Sequence, residues 1–236
     1  MDIVHTQDNF TLPVGTEPNT SKADRLIANT KRIMEHPWSA IESGYVWTLD
    51  SANLSVNPIK RFPNQPWLRD LTDLWLKADP PLFACPKTRR MMISWLMIWN
   101  HQWIAMFHPG AHVYIQSETE IKSNELVERA GFIYNNFPRG EIALPTPKPG
   151  KNGASTMWCY MGFPKLHSFM QGIPQGANQL RQYTASAVMM DEAAFWEHGR
   201  ESFGATKPTS EGGGRITVVS SAQNSWFKDL CFDTIE

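Results

Sequence analysis

The sequence predicts an α/β domain with a mostly parallel, helix-covered central sheet, and three observations predict it. Short apolar strands at Leu82-Phe83-Ala84-Cys85, His112-Val113-Tyr114-Ile115-Gln116-Ser117, Ala187–Met190 and Ile216–Val219 alternate with longer helical stretches. The run Ala187-Val188-Met189-Met190 lacks the polar alternation of a half-exposed strand and suits burial on both faces of a parallel sheet. A hydrophobic fraction of 42% in 236 residues can fill one large core, and 19% charged residues exclude wholesale disorder.

From the amino end, residues 1–20 are polar and interrupted by Pro13, Gly15 and Pro18, which reads as a loose arm. Ser21 is a cap for a helix through Ala23, Leu26, Ile27 and Ile33, stopped by Pro37. Tyr45 to Leu49 has strand composition, Pro58 to Pro66 reads as a proline-punctuated connector, and Trp67 to Lys77 as a helix. After the strand at 82–85 come a basic turn, a helix from about Ser94 to Phe107, the strand at 112–117 and a charged helix through about Asn135. Residues 138–154 carry four prolines and three glycines and form a loop. Thr156–Met161 and Leu166–Met170 flank Gly162-Phe163-Pro164 as a hairpin.

Charge and cysteine usage bound the function. Lys and Arg total 22 against 23 Asp and Glu, so no global basic field marks a nucleic-acid binder, and any polyanion contact is local. Cys85, Cys159 and Cys231 are far apart and suit neither zinc nor a disulfide framework, which points to reduced thiols in a cytosol-like compartment. The first residues lack the basic and apolar regions of a signal peptide. The richest apolar stretch, Trp95 to Phe107, is broken by Asn100, His101 and Gln102 and is too short to span a membrane. Trp95, Trp99 and Trp103 recur every fourth residue and are assigned to the core rather than to base stacking.

Four segments carry candidate chemistry. The strand at 187–190 ends in Asp191-Glu192, at the strand end where open α/β sheets place their ligands. There the first acid of a nucleotide hydrolase can hold Mg²⁺ and the second can orient water. The strand at 82–85 runs into Pro86-Lys87-Thr88-Arg89-Arg90-Met91-Met92-Ile93-Ser94 and then a helix, the context of a phosphate-binding loop. Aligning Ser94 with the hydroxyl of G-x-x-x-x-G-K-[ST] puts Ile93 at the lysine, Met92 at the second glycine and Lys87 at the first, so the pattern itself fails. Lys87, Arg89 and Arg90 can nonetheless neutralise phosphate charge, and Ser94 can ligate Mg²⁺; a solvated basic turn is the other reading. Ser220-Ser221 end the last strand, and Arg181 lies eleven residues before Glu192.

Together these segments resemble the ATPase domain of tailed-bacteriophage large terminases, the motors that package viral DNA. The likeness covers roughly Tyr45 to Trp226 and rests on the order of Val46-Trp47-Thr48-Leu49-Asp50, the loop at 86–95, the strand at 113–117, Gly172-Ile173-Pro174-Gln175-Gly176 leading to Arg181, the acidic strand with Ala193-Ala194-Phe195-Trp196, and Val218-Val219-Ser220-Ser221-Ala222.

It implies a P-loop NTPase fold of the additional-strand (ASCE) type and Mg²⁺-dependent ATP hydrolysis driving double-stranded DNA into a prohead. It also implies that the working cation is displaced to the start of the loop, so Lys87 comes first, with Thr88, Arg89 and Arg90 beside it on the phosphates. Ser94 and Asp191 would hold Mg²⁺, Glu192 would serve the attacking water, Arg181 would act as an arginine finger in trans, and Ser220 and Ser221 would couple hydrolysis to motion. Gln65 is the nearest match to the family's adenine-contacting segment. The implied partners are DNA, the portal protein of the prohead, the small terminase subunit and further copies in a ring, pentameric by likeness, with a monomer in isolation and no membrane.

The expected organisation is an amino-terminal arm and helix over 1–44, an ATPase core over 45–222, and the start of a lid or linker over 223–236. The family's carboxy-terminal nuclease is expected to be absent, and the expected location is the host cytoplasm, on the prohead. Two other functions share parts of the pattern: a helicase-like ATPase, and a non-catalytic adaptor for DNA or portal with a decayed nucleotide site.

Overall fold

A computed structural model describes residues 21–50, 57–181 and 183–232; the arm expected over 1–20 lies outside them. Helix α1 (Lys22–Glu35) opens on a capping box, with Ser21 Oγ accepting from the Asp24 amide at 3.1 Å and the Asp24 carboxylate accepting from the Ser21 amide at 3.2 Å. A second short helix, α2 (Trp38–Glu42), restarts immediately after Pro37. The connector expected between Pro58 and Pro66 contains a strand: β2 (Ile59–Arg61) pairs antiparallel with β1 (Trp47–Leu49), and α3 (Pro66–Lys77) follows. All three β2 residues are exposed, so no apolar alternation marked them.

The central elements are β3 (Leu82–Lys87), α4 (Ile93–Phe107), β4 (His112–Ser117) and α5 (Glu120–Asn136). The hairpin of β5 (Tyr160–Phe163) and β6 (Ser168–Pro174) follows, and then come β7 (Ala187–Asp191), α6 (Gly199–Glu211), β8 (Arg215–Ser221) and α7 (Trp226–Phe232). The hairpin turns at 164–167 rather than 162–164, because Gly162 and Phe163 pair with Phe169 and Ser168 and His167 takes the left-handed conformation. Strand order is β3-β8-β7-β4-β6-β5, parallel throughout except for β5 at one edge. β8 thus stands between the strand that carries the basic loop and the strand that carries the acids, the order of an additional-strand P-loop NTPase.

Both faces of the sheet are buried. Along β7, Ala187 and Met189 enter the cluster that includes Leu96, Trp99, Val127 and Ile133, while Val188 and Met190 enter a second cluster with Phe203 and Phe227. Helices α4 and α5 therefore cover one face and α6 and α7 the other, which explains the uninterrupted apolar run. Helices α1 and α2 belong to the first layer: Trp103 donates to the Ile33 carbonyl at 2.6 Å and Trp99 to the Pro37 carbonyl at 3.0 Å. No helix among the described residues is long and apolar enough to cross a membrane.

Candidate functional site

Parallel pairing puts the ends of three strands side by side. Lys87 at the end of β3 is registered with Ser221 of β8, and Asp191 at the end of β7 with Val219 of β8. Lys87 thus belongs to the strand rather than to the turn, and the turn proper is 88–92. Within it Arg90 (φ 68°) and Met92 (φ 61°) adopt the left-handed conformation that glycine usually supplies. Met92 is the residue aligned with the second glycine of the phosphate-loop pattern, so the glycine conformation persists without the glycine. Helix α4 starts at the next residue with no side-chain cap, which leaves its first amides and positive dipole end open toward the loop.

The two acids have different surroundings. Asp191 is buried, 8% exposed, and Oδ1 accepts from Ser94 Oγ at 2.7 Å. Burial pushes its carboxyl above the ordinary range, opposed by the charge of Lys87, the Ser94 hydrogen bond and, more weakly, Arg129. Glu192, in the left-handed conformation (φ 55°), turns its side chain back across the strand ends. It forms an ion pair with Lys87, accepts from the Ser221 amide at 2.8 Å and the Ser221 hydroxyl at 3.3 Å, and meets Ser220 Oγ at 3.4 Å. Burial alone would raise this carboxyl, but the Lys87 hydrogen bond and the Ser221 donors outweigh it and hold it below its usual value. Ser220 Oγ also accepts from the Ala194 amide at 3.1 Å, tying the end of β8 to the segment behind the acids.

Two cavities flank this cluster. One of about 590 Å³ is lined by Leu49, Asp50, Thr88, Arg90, Ser94 and Trp95 among others. The other, about 440 Å³, is lined by Arg89, Glu118, Asp191, Glu192, Phe195 and Ser221 among others. Volumes in this range suit a nucleotide-sized ligand. Lys87 lines the first cavity and Arg129 lines both.

The structure therefore brings together Lys87, Thr88, Arg89, Arg90, Ser94, Asp191, Glu192, Ser220 and Ser221. Two candidates lie apart. Gln65 stands at the residue before α3, makes no capping hydrogen bond with its side chain, and does not line the cavity. Arg181 lines a separate cavity with Ala185, Thr209 and Gly212, at the amino ends of β7 and β8. Sequence reading also missed Arg129 and placed Trp95 in the core; Trp95 is only partly buried and faces the first cavity, with the Arg129 guanidinium 5.5 Å above its ring. No local signal distinguishes Arg129 from the other charges of α5.

The donor set suits Mg²⁺. Ser94 and Asp191 offer two hard oxygens in contact, and Mg²⁺ commonly takes one or two protein oxygens and completes its shell with phosphate and water. Among the described residues no group of three or more His, Cys, Asp or Glu could hold a metal by itself.

No protein-family model and no curated protein matches the sequence. Solved structures do. The large terminase of bacteriophage HK97 superposes with a TM-score of 0.52 at 11% identity, over 86% of this chain and 38% of that one. A large terminase from a thermophilic bacteriophage gives 0.50 at 13% identity, over 74% and 43%. The large terminase ATPase domain of Thermus phage P74-26 gives 0.47 at 15% identity, over 72% and 69%. The chain spans less than half the length of the first two. Its six-stranded, mostly parallel sheet with flanking helices has the fold of bacteriophage large terminases.

Proposed function

We propose that the chain is the Mg²⁺-dependent ATPase of a viral DNA-packaging motor, driving double-stranded DNA into a prohead. One observation carries the reading: Ser94–Asp191 and Lys87–Glu192 face each other across the ends of parallel strands, beside an uncapped helix N-terminus. An oxygen pair for a hard cation, a separate acid for water and open amides for phosphate are what phosphoryl transfer needs.

In this reading Thr88, Arg89, Arg90 and the loop amides neutralise the phosphates, and Ser94 with Asp191 holds Mg²⁺. The metal, when bound, supplies charge neutralisation on the phosphate oxygens. Glu192 orients the attacking water and accepts its proton as the water oxygen bonds to the terminal phosphorus and the bond to the leaving oxygen breaks. Lys87 links the two halves. While it holds Glu192, the carboxylate is a weak base, because its proton affinity is depressed. When incoming phosphate draws Lys87 away, Glu192 loses its strongest opposing donor and its basicity rises toward what proton transfer requires. Ser220 and Ser221, bonded to Glu192 from β8, would carry that change into the sheet.

The similarity to large terminases supports the packaging role, with a portal protein, a small terminase subunit and a ring of further copies as partners, and a host-cytoplasmic location. Arg181 would serve a neighbouring copy as its arginine finger. The test is Glu192→Gln: it should keep Mg²⁺-dependent ATP binding and lower turnover of the assembled motor by about 10²–10⁴-fold. Unchanged turnover would remove Glu192 from catalysis.

A further inference from the structure

Arg129 has no role in the scheme above, yet its surroundings are unusual. It lies on α5, where Phe132, three residues on, packs T-shaped against Trp95 with ring centroids 6.1 Å apart, while the Arg129 guanidinium carbon sits over the Trp95 ring, 5.5 Å from its centroid. Residues three apart share one helix face, so α5 presents both an aromatic ring and a cation to Trp95. Trp95 follows Ser94 directly on α4. The stack therefore fixes the guanidinium relative to the open helix terminus and the metal-binding pair.

The cation is held but not satisfied. Among the described residues Arg129 makes no hydrogen bond and no ion pair, although a guanidinium carries five donors. It lines both cavities, one with Lys87, Arg90 and Ser94 and the other with Asp191 and Glu192. Of the acids around it, Glu118 pairs with Lys122, Glu128 accepts from Asn124 at 2.9 Å and Glu192 pairs with Lys87, while Glu125, one turn earlier on α5 and lining the second cavity, is exposed and forms no ion pair with it. Its charge reaches Asp191, where it opposes the effect of burial. A half-buried, pre-oriented, unpaired guanidinium beside a basic loop lacks an anionic partner, and the planar fork matches phosphate oxygens better than an ammonium would.

We propose that Arg129 binds the terminal phosphate of a nucleoside triphosphate held in its own subunit, with Trp95 as the positioning residue that aims it. The position between the two cavities is the junction of phosphate loop and acidic pair, where a triphosphate and a diphosphate differ. Arg129 is thus a triphosphate discriminator rather than a general phosphate anchor. This rests on the nucleotide reading of the site.

The experiment is a pair of titrations of the full chain, with Mg²⁺ and either ADP or a non-hydrolysable ATP analogue. Wild type should bind both. Arg129→Gln should weaken the analogue by about 10- to 100-fold, as expected for loss of charged hydrogen bonds, and change ADP by less than about threefold. Arg129→Met keeps the stem on Trp95 and should show the same selective loss, so a folding defect peculiar to one variant cannot imitate it. Trp95→Phe should lose the analogue-induced change in tryptophan emission and part of the selectivity. Equal losses for both nucleotides, or none for either, would overturn the assignment while leaving the nucleotide site standing. A wild type that binds neither overturns the nucleotide reading and this inference with it.

Discussion

Met92 holds a left-handed backbone at the start of α4, which costs a residue with a Cβ about 1–2 kcal/mol relative to glycine. Met92→Gly should therefore fold and bind nucleotide at least as well as wild type. Met92→Val should lose both, because branching at Cβ makes the same φ a severe strain. Nucleotide titration with thermal unfolding separates the two. Asp191 gives a pH-dependent prediction. Its folded carboxyl is raised by burial, so its stabilising contribution is present below the unfolded value of about 3.9 and is lost as pH rises through the folded value. Glu192, held low, contributes in the opposite sense, above its unfolded value and less as pH falls. With divalent metal chelated, Asp191→Asn should thus melt above wild type at neutral pH, with the difference shrinking in mild acid. Differential scanning calorimetry across that range checks it, and a wild type that melts higher at neutral pH would show the buried charge to be fully compensated.

Between α3 and β8 a buried polar contact locks helix to sheet. Trp75 Nε1 donates to Thr217 Oγ1 at 2.8 Å, both residues being fully buried, and the Arg215 guanidinium carbon lies over the ring, 4.6 Å from its centroid. Thr217→Val keeps the shape and strands the indole N–H, so it should cost about 1–3 kcal/mol in denaturant unfolding with little effect on nucleotide binding. The same two elements show what sequence can disclose. The core of β8 and the apolar spacing of Leu68, Leu71, Leu74 and Trp75 on α3 are one-dimensional signals, because a buried face imposes a period, although Leu74 falls outside that face and is 59% exposed. The strand β2 imposes none, since Ile59, Lys60 and Arg61 are all exposed. Helix α6, with Pro208 inside it, likewise escaped the sequence reading. At the site, Lys87, Ser94, Asp191 and Glu192 were legible because strand ends and helix starts punctuate the chain. Arg129 was not, because its place depends on how α5 packs against α4, which no local spacing encodes.

The whole molecule separates its acid pair from Arg181 along the sheet. Arg181 borders the cavity at the amino ends of β7 and β8, whereas Asp191 closes the carboxyl end of β7, a strand of five residues and about 17 Å. Under the packaging reading, an arginine so placed cannot serve the phosphate site of its own chain, but it can serve the next copy if the amino edge of one sheet faces the carboxyl edge of another. That contact joins different surfaces on the two partners and so builds a head-to-tail ring. Under the packaging reading, Arg181→Ala and Glu192→Gln should each leave the assembled motor nearly idle, a finger being worth about 10³–10⁵ in rate. Mixed in equal amounts, they should recover activity. Random assembly pairs an intact site with an intact neighbouring arginine at about one interface in four, so turnover should rise to about a quarter of wild type. A mixture as inactive as its components would deny Arg181 a role across the interface and leave the charge of the transition state to Arg89, Arg90 and Arg129 within one chain.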